Sequence, residues 1–199
     1  MTIGILSIQG DFAAHAAILQ TLGAQTLEVR TVADLRKSDA LILPGGESTT
    51  QLQFLQEEGL FGAIRQFAAS GRAIFGTCAG AILLATHVKN PPQPSLALLD
   101  MTVLRNAYGR QLASDVFFGP TTLKKDPLEM VFIRGPIIES IAPGITVLAK
   151  LDGSPTLVQK DNLLAATFHP ELTDDPTVHR HFLSLISNSS PTKKLARTK

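Results

Sequence analysis

The chain has one cysteine, Cys78, so no disulfide can close within it. Such sparing use of cysteine fits a reducing compartment. Neither sign of charge dominates: 18 Lys and Arg stand against 17 Asp and Glu, which gives no electrostatic argument for nucleic acid. Charged residues make up only 18% and hydrophobic ones 44%, which excludes a disordered chain and a coiled coil. No apolar run approaches the roughly 18 residues of a membrane span. The opening MTIGILSIQGDF lacks a basic region and soon meets Asp11, so it does not read as a signal peptide. A Walker-type loop, a Gly-x-Gly-x-x-Gly loop and a cysteine cluster for a metal are all missing, and no internal repeat is found. These absences leave a globular protein of the cytoplasm, with no metal and no cofactor expected.

At 199 residues the chain is long enough for one domain with a real core. One stretch is unbalanced. From residue 187 onward Lys193, Lys194, Arg197 and Lys199 meet no acidic residue, and without them the body is near −3. The expected organisation is a domain over 1–187 and a basic, disordered tail over 188–199.

Apolar runs stopped by turn residues set the rhythm of the first half. Segments 3–8, 26–30, 40–43 and 73–75 read as buried strands, and 12–22, 49–57, 60–69 and 79–86 as helices. This βαβα order predicts a parallel sheet covered on both faces. After the loop Asn90-Pro91-Pro92-Gln93-Pro94 the runs at 101–105, 116–123, 130–134 and 146–151 alternate like antiparallel strands. Segments 157–160 and 163–168 read as a hairpin around Asp161-Asn162. A last helix starts at Asp175 or Thr177.

The most informative segment is Gly76-Thr77-Cys78-Ala79-Gly80, which follows a strand and opens a helix. Gly-x-Cys-x-Gly is the nucleophile-elbow pattern with cysteine in place of serine. Two glycines let strand and helix approach while the nucleophile leaves the turn. N–H groups of the new helix favour a thiolate and can bind an oxyanion. The plainer reading is a small buried hydrophobe. A thiol nucleophile needs a base. His15 lies in the first helix, His87 ends the helix after the elbow, and His179 and His181 read as surface of the last helix, too sparse for zinc. His169 stands where a strand meets a loop, in His169-Pro170-Glu171. Proline biases His169 toward extended backbone, where residues two apart share a side, so Glu171 can hold the imidazole as the acid of a triad does. The plainer reading is a turn with a solvated Glu.

GTCAG followed far downstream by HPE resembles the triad glutaminases of the class I glutamine amidotransferases. SIQGDF, LPGGEST at 43–49, GTCAGAILLA at 76–85, RNAYGRQ at 105–111, FIRGP at 132–136 and TFHPELT at 167–173 resemble, more narrowly, the glutaminase subunits of pyridoxal 5′-phosphate synthase. The resemblance covers about 2–186 and implies a flavodoxin-like three-layer α/β/α fold with a mixed, mostly parallel central sheet. It implies hydrolysis of L-glutamine to glutamate and ammonia, with Cys78 as nucleophile, His169 as base and Glu171 as orienting acid. Gly46 and Ala79 N–H groups would form the oxyanion hole. Gly46, Glu47, Ser48, Arg105, Ile133 and Arg134 would hold glutamine, with Arg105 or Arg134 on its carboxylate and Glu47 on its ammonium. The implied partner is a (β/α)8 synthase subunit in a large hetero-oligomer that uses the ammonia, pyridoxal phosphate being its product. Open alternatives are another triad enzyme of this architecture, such as a γ-glutamyl hydrolase, a silent binding module, and a cysteine-dependent stress protein sharing the elbow.

Overall fold

In a computed structural model the residues described are 1–105 and 114–189. Most of RNAYGRQ and the basic residues of the tail therefore lie outside the described residues. Along the chain run β1 (Thr2–Leu6), α1 (Phe12–Thr21), β2 (Gln25–Val29), α2 (Val32–Arg36), β3 (Ala40–Leu43), α3 (Ser48–Glu57), α4 (Leu60–Ala69), β4 (Ala73–Thr77), α5 (Ala79–Leu84) and β5 (Ala85–Lys89). There follow β6 (Leu99–Leu104), β7 (Ser114–Gly119), β8 (Leu128–Ile133), β9 (Ile137–Ile141), β10 (Thr146–Leu151), β11 (Ser154–Lys160), β12 (Leu163–Ala166) and α6 (Thr177–Ser189).

Seven strands form the main sheet in the order β10-β11-β12-β4-β3-β1-β2. Pairing from β12 through β2 is parallel, and β11 is antiparallel to both of its neighbours. The expected mixed, mostly parallel sheet is thus present. β3 and β4 are buried along their whole length, which is why they read as unbroken apolar runs. Alternate residues feed two cores. Ala40, Ile42, Ala73 and Phe75 pack with α1 and α6, while Leu41, Leu43 and Ile74 pack with α4 and α5. Phe75 is wholly buried, and its ring centroid lies 5.5 Å from that of Phe182 on α6. Truncating such a ring costs about 3–5 kcal/mol, so this contact fastens α6 to the centre of the sheet.

Several expected boundaries are corrected. The helix after the elbow ends at Leu84, and residues 85–89 form β5, which pairs parallel with β6 rather than joining an antiparallel set. α2 and β9 are elements that periodicity did not reveal. α2 is only five residues long, but Thr31 and Asp34 form a reciprocal capping box at its start. The hairpin around Asp161-Asn162 is present, and β12 then carries it into the main sheet beside β4.

Candidate active site

β1, β3, β4 and β12 run parallel, so the segments leaving their carboxyl ends meet at one edge of the sheet. That edge is where open α/β sheets collect ligands. Cys78 follows β4, Gly45-Gly46 follow β3, Gln9 to Asp11 follow β1, and His169 follows β12. The four come together around a cleft of about 390 Å³. Of the ten predicted site residues, all but Ala79 and Glu171 line it.

Cys78 has φ 48° and ψ −102°, in the sharp turn the elbow requires. Its N–H donates to the Ala166 carbonyl at 2.9 Å, which ties the turn to β12. A Cβ on Gly80 would stand 1.9 Å from the Leu43 carbonyl oxygen, and one on Gly76 2.6 Å from the Gly80 backbone. Glycine is therefore needed at both places for strand and helix to close on each other. Cys78 keeps only 6% of its surface, turned to the cleft, with Sγ 4.0 Å from the Ile133 carbonyl oxygen. Ala79 opens α5, so its N–H is among those without an intrahelical acceptor.

His169 donates its backbone N–H to Val131 at 2.8 Å, and its ring lies against Gly45, where a Cβ would come within 2.3 Å of Cε1. Its Nδ1 is 2.8 Å from Glu171 Oε1. The backbone after His169 is not extended as expected. Pro170–Leu172 is one 3-10 turn closed by Leu172 N–H on the His169 carbonyl. The turn brings Glu171 under the imidazole in place of the two-residue alternation, because proline's fixed φ suits a helix start.

The model of the SNO glutamine amidotransferase family matches residues 5–188. The chain belongs to that family. It is 48% identical over 194 residues to the pyridoxal 5′-phosphate synthase subunit PdxT of Koribacter versatilis, covering 98% of this chain and 100% of that one. It is 46% identical to the Thermotoga maritima PdxT, over 94% of this chain and 100% of that protein. A crystal structure of a glutamine amidotransferase superposes with a TM-score of 0.87 at 43% identity, covering 93% of this chain and 98% of the other.

The loop after β3 of this SNO glutamine amidotransferase is held from both sides. The buried Gln51 donates from Nε2 to the carbonyls of Pro44 and Gly45, at 3.2 and 3.1 Å. Gln9 donates to the Glu47 carbonyl at 2.8 Å. Gly46 has φ 138°, which a side chain rarely adopts. Glu47 caps α3, accepting from Thr49 N–H at 3.0 Å and Thr50 N–H at 2.7 Å. Partial burial works against its ionised form, but these amide bonds prevail and hold the carboxyl down to about 2. Arg105 reaches Glu47 Oε1 at 3.3 Å and Thr49 Oγ1 at 3.1 Å. Ser48 donates to Gln93 at 3.1 Å, so the proline-rich connection is fastened to the cleft wall. Arg134 sits at φ 49° on the opposite wall.

The electrostatics of the His-Pro-Glu segment are unequal. Burial disfavours the imidazolium of His169, but hydrogen bonds with Cys78 and Glu171 outweigh it and raise the ring to about 10. Burial raises Glu171, against the pull of His169. A ring so poised holds a proton beside the sulfur and can give it to a leaving group. The reading of His179 as helix surface is wrong: it is wholly buried. His181 is half-buried and lies 2.6 Å from Gln159 Oε1. Sequence reasoning also passed over Gln9, Gln51 and Asp11, whose Oδ2 lies 3.9 Å from His169 Nδ1. Among the described residues no helix is long and apolar enough to cross a membrane.

Proposed function

We propose that this chain hydrolyses L-glutamine to L-glutamate and ammonia and supplies the ammonia to the synthase subunit of pyridoxal 5′-phosphate synthase. One observation carries the chemistry: Cys78, on its strained turn, shares a cleft with His169, whose Nδ1 is 2.8 Å from Glu171. Cys78 Sγ attacks the side-chain amide carbon of glutamine. The C–N bond breaks as His169 passes its proton to the departing nitrogen, leaving ammonia and a γ-glutamyl thioester. His169 then takes a proton from water, which attacks the thioester and frees glutamate and the thiol. Glu171 orients the imidazole and balances its charge. N–H groups of Gly46 and Ala79 receive the oxyanion. Arg105 or Arg134 takes the substrate carboxylate and Glu47 the ammonium, while Ser48 and the Ile133 backbone shape the pocket. Glu47 and Arg105 are paired with each other before substrate arrives, so binding glutamine exchanges that pair for two new ones.

Ammonia is mostly protonated near neutral pH and is then no nucleophile, so delivery needs a dry path. The relatives named as subunits of pyridoxal 5′-phosphate synthase support another subunit of that synthase as acceptor. In this proposal that subunit is a (β/α)8 protein, bound in a large hetero-oligomer in the cytoplasm. The catalytic domain spans 1–187, and the basic tail over 188–199 lies outside it. The test is glutamine hydrolysis by wild type and Cys78→Ala, each with and without the synthase subunit. The expected result is turnover stimulated by the synthase and absent in Cys78→Ala. Full turnover by Cys78→Ala would overturn the reading.

A further inference from the structure

Behind Glu171, away from the cleft, three side chains take no part in that mechanism: His15 on α1, His179 on α6 and Thr77 at the end of β4. All three are completely buried. His15 Nδ1 lies 2.9 Å from His179 Nε2, and His15 Nε2 lies 3.2 Å from Thr77 Oγ1 and 3.3 Å from Glu171 Oε2. Two imidazoles thus sit in line with the rear oxygen of the carboxylate whose front oxygen holds His169.

Proton counting selects one arrangement. Burial disfavours the charge on both rings, taking His179 to about 4 and His15 well below its ordinary range, so each is neutral and carries one N–H. If His15 were protonated on Nδ1, it would donate to His179 Nε2. A bare Nε2 lone pair would then face a carboxylate oxygen, and His179 Nδ1 would carry a buried N–H with no acceptor. If His179 is protonated on Nε2, it donates to His15 Nδ1. His15 Nε2–H then points between Thr77 Oγ1 and Glu171 Oε2, and only a lone pair on His179 Nδ1 is left over. The second arrangement satisfies more groups and puts a donor beside the anion.

We propose that His15, locked in its Nε2–H tautomer by His179, is a positioning residue that holds the Glu171 carboxylate from behind and so keeps its front oxygen on His169. This role rests on the glutaminase reading of Glu171. The rear oxygen makes no aligned hydrogen bond, and His15 Nε2 stands beside it at 3.3 Å. Without the His15 N–H this buried anionic oxygen loses the dipole that stands beside it. The carboxyl then draws the proton from His169 or turns away from it. The titratable groups facing this unit are His169 and Asp11 from the cleft, Cys78 beyond His169, and His179 from α6. Thr77 and the edge of Phe75 close it from β4.

The experiment compares wild type, His15→Leu, His15→Gln and His179→Phe in the complex with the synthase subunit, recording kcat and KM for glutamine across pH. Imidazole ¹⁵N spectra of the full chain report the tautomers. The expected result for His15→Leu is a kcat lower by about 10- to 100-fold, the scale of losing a group that orients a ligand from the outer shell. Its KM stays within about twofold and the pH limb of kcat moves by about one unit. His15→Gln, which keeps an N–H for the rear oxygen, recovers much of the rate and the wild-type limb. His179→Phe shows a smaller loss in the same direction. His15 should carry its proton on Nε2. An Nδ1–H tautomer in wild type, or a folded His15→Leu with unchanged kcat and pH profile, would overturn the proposal. If His15→Leu does not fold, the tautomer together with the His15→Gln and His179→Phe profiles decides. Wild type with no glutaminase activity would instead defeat the glutaminase reading, while the tautomer measurement still stands.

Discussion

One carboxylate, Glu171, has a histidine on each side, and the two sides behave oppositely. His169 faces the cleft and is raised to about 10, whereas His15 and His179 lie beneath α1 and α6 and are lowered, His179 to about 4. All three rings are buried, so burial alone is not the difference. What distinguishes His169 is the Cys78 side chain beside it and a hydrogen bond with Glu171 Oε1 at 2.8 Å. His15 meets the other oxygen at 3.3 Å without good alignment, and its further neighbours are other histidines. A well-directed hydrogen bond to an anion reverses the effect of desolvation; mere proximity does not. The side facing Cys78 and the side packed in the core are thus separated by one residue.

The largest effect should come from removing the charge that makes the sides differ. Glu171→Gln keeps the shape but removes one of the two partners that hold the His169 ring high, leaving Cys78 alone against burial, so the ring should titrate lower. Glutaminase kcat of the complex is expected to fall by up to about 10⁴-fold, the loss seen when the acid of a Ser-His-Asp triad is replaced by its amide. NMR titration of His169 should show its pKa falling well below the wild-type value. A variant in which His169 still titrates high would mean that Cys78, not Glu171, sets the cleft side apart.

The cleft side was far more legible in the sequence than the rear. Gly76, Cys78 and Gly80 are local punctuation, and His169-Pro170-Glu171 is contiguous, so short-range pattern was enough to single them out. Resemblance supplied Gly46, Glu47, Ser48, Arg105, Ile133 and Arg134, whose types alone describe an ordinary turn and surface charges. β3, a continuous apolar run, and β10, an alternating one, were read at their observed limits because both end in clear turns. β5 was absorbed into the preceding helix, since Ala-Ile-Leu-Leu-Ala reads as one apolar stretch across the boundary. β9, between Pro136 and Pro143, was too short to declare itself. Together with His181, the one beside a basic residue, His179 was read as helix surface. Yet it stands three and seven residues before Phe182 and Ile186, both buried, which is core spacing. His15 likewise precedes the buried Leu19 by four. That the two rings meet is a property of tertiary packing across 164 residues, which no local pattern encodes.

A smaller effect concerns stability as a function of pH. His179 has a folded value near 4 against an ordinary 6.5, so between those values the unfolded chain binds more protons than the folded one. Stability therefore rises with pH across that window. On acidification from about 6.5 to 4 this group alone removes up to about 3 kcal/mol. His15 adds to the loss in the same direction. Denaturant melts of wild type and His179→Phe should diverge in their acid dependence, the variant losing less. Equal slopes would show that the rear pair does not stay neutral in the folded chain.

The smallest effect lies on the wall formed by the loop after β3, where Glu47 is half-exposed while Glu171 is sealed. Its low pKa comes from capping α3 rather than from a histidine. Because folding depresses it, its contribution is present above the ordinary 4.5 and lost as pH falls toward 2. Glu47→Ala should cost about 1 kcal/mol, the worth of an exposed cap. The Arg105 pair at 3.3 Å should add little, since half of the carboxylate faces water. If Glu47 also receives the substrate ammonium, the same variant raises KM for glutamine several-fold while kcat moves little. That separates it from Glu171→Gln, which should do the reverse. Glu47→Gln, which retains an acceptor oxygen for the helix but not the charge, should restore the stability and leave the KM defect. Recovery of both would reduce Glu47 to a cap and leave the ammonium without a partner on that wall.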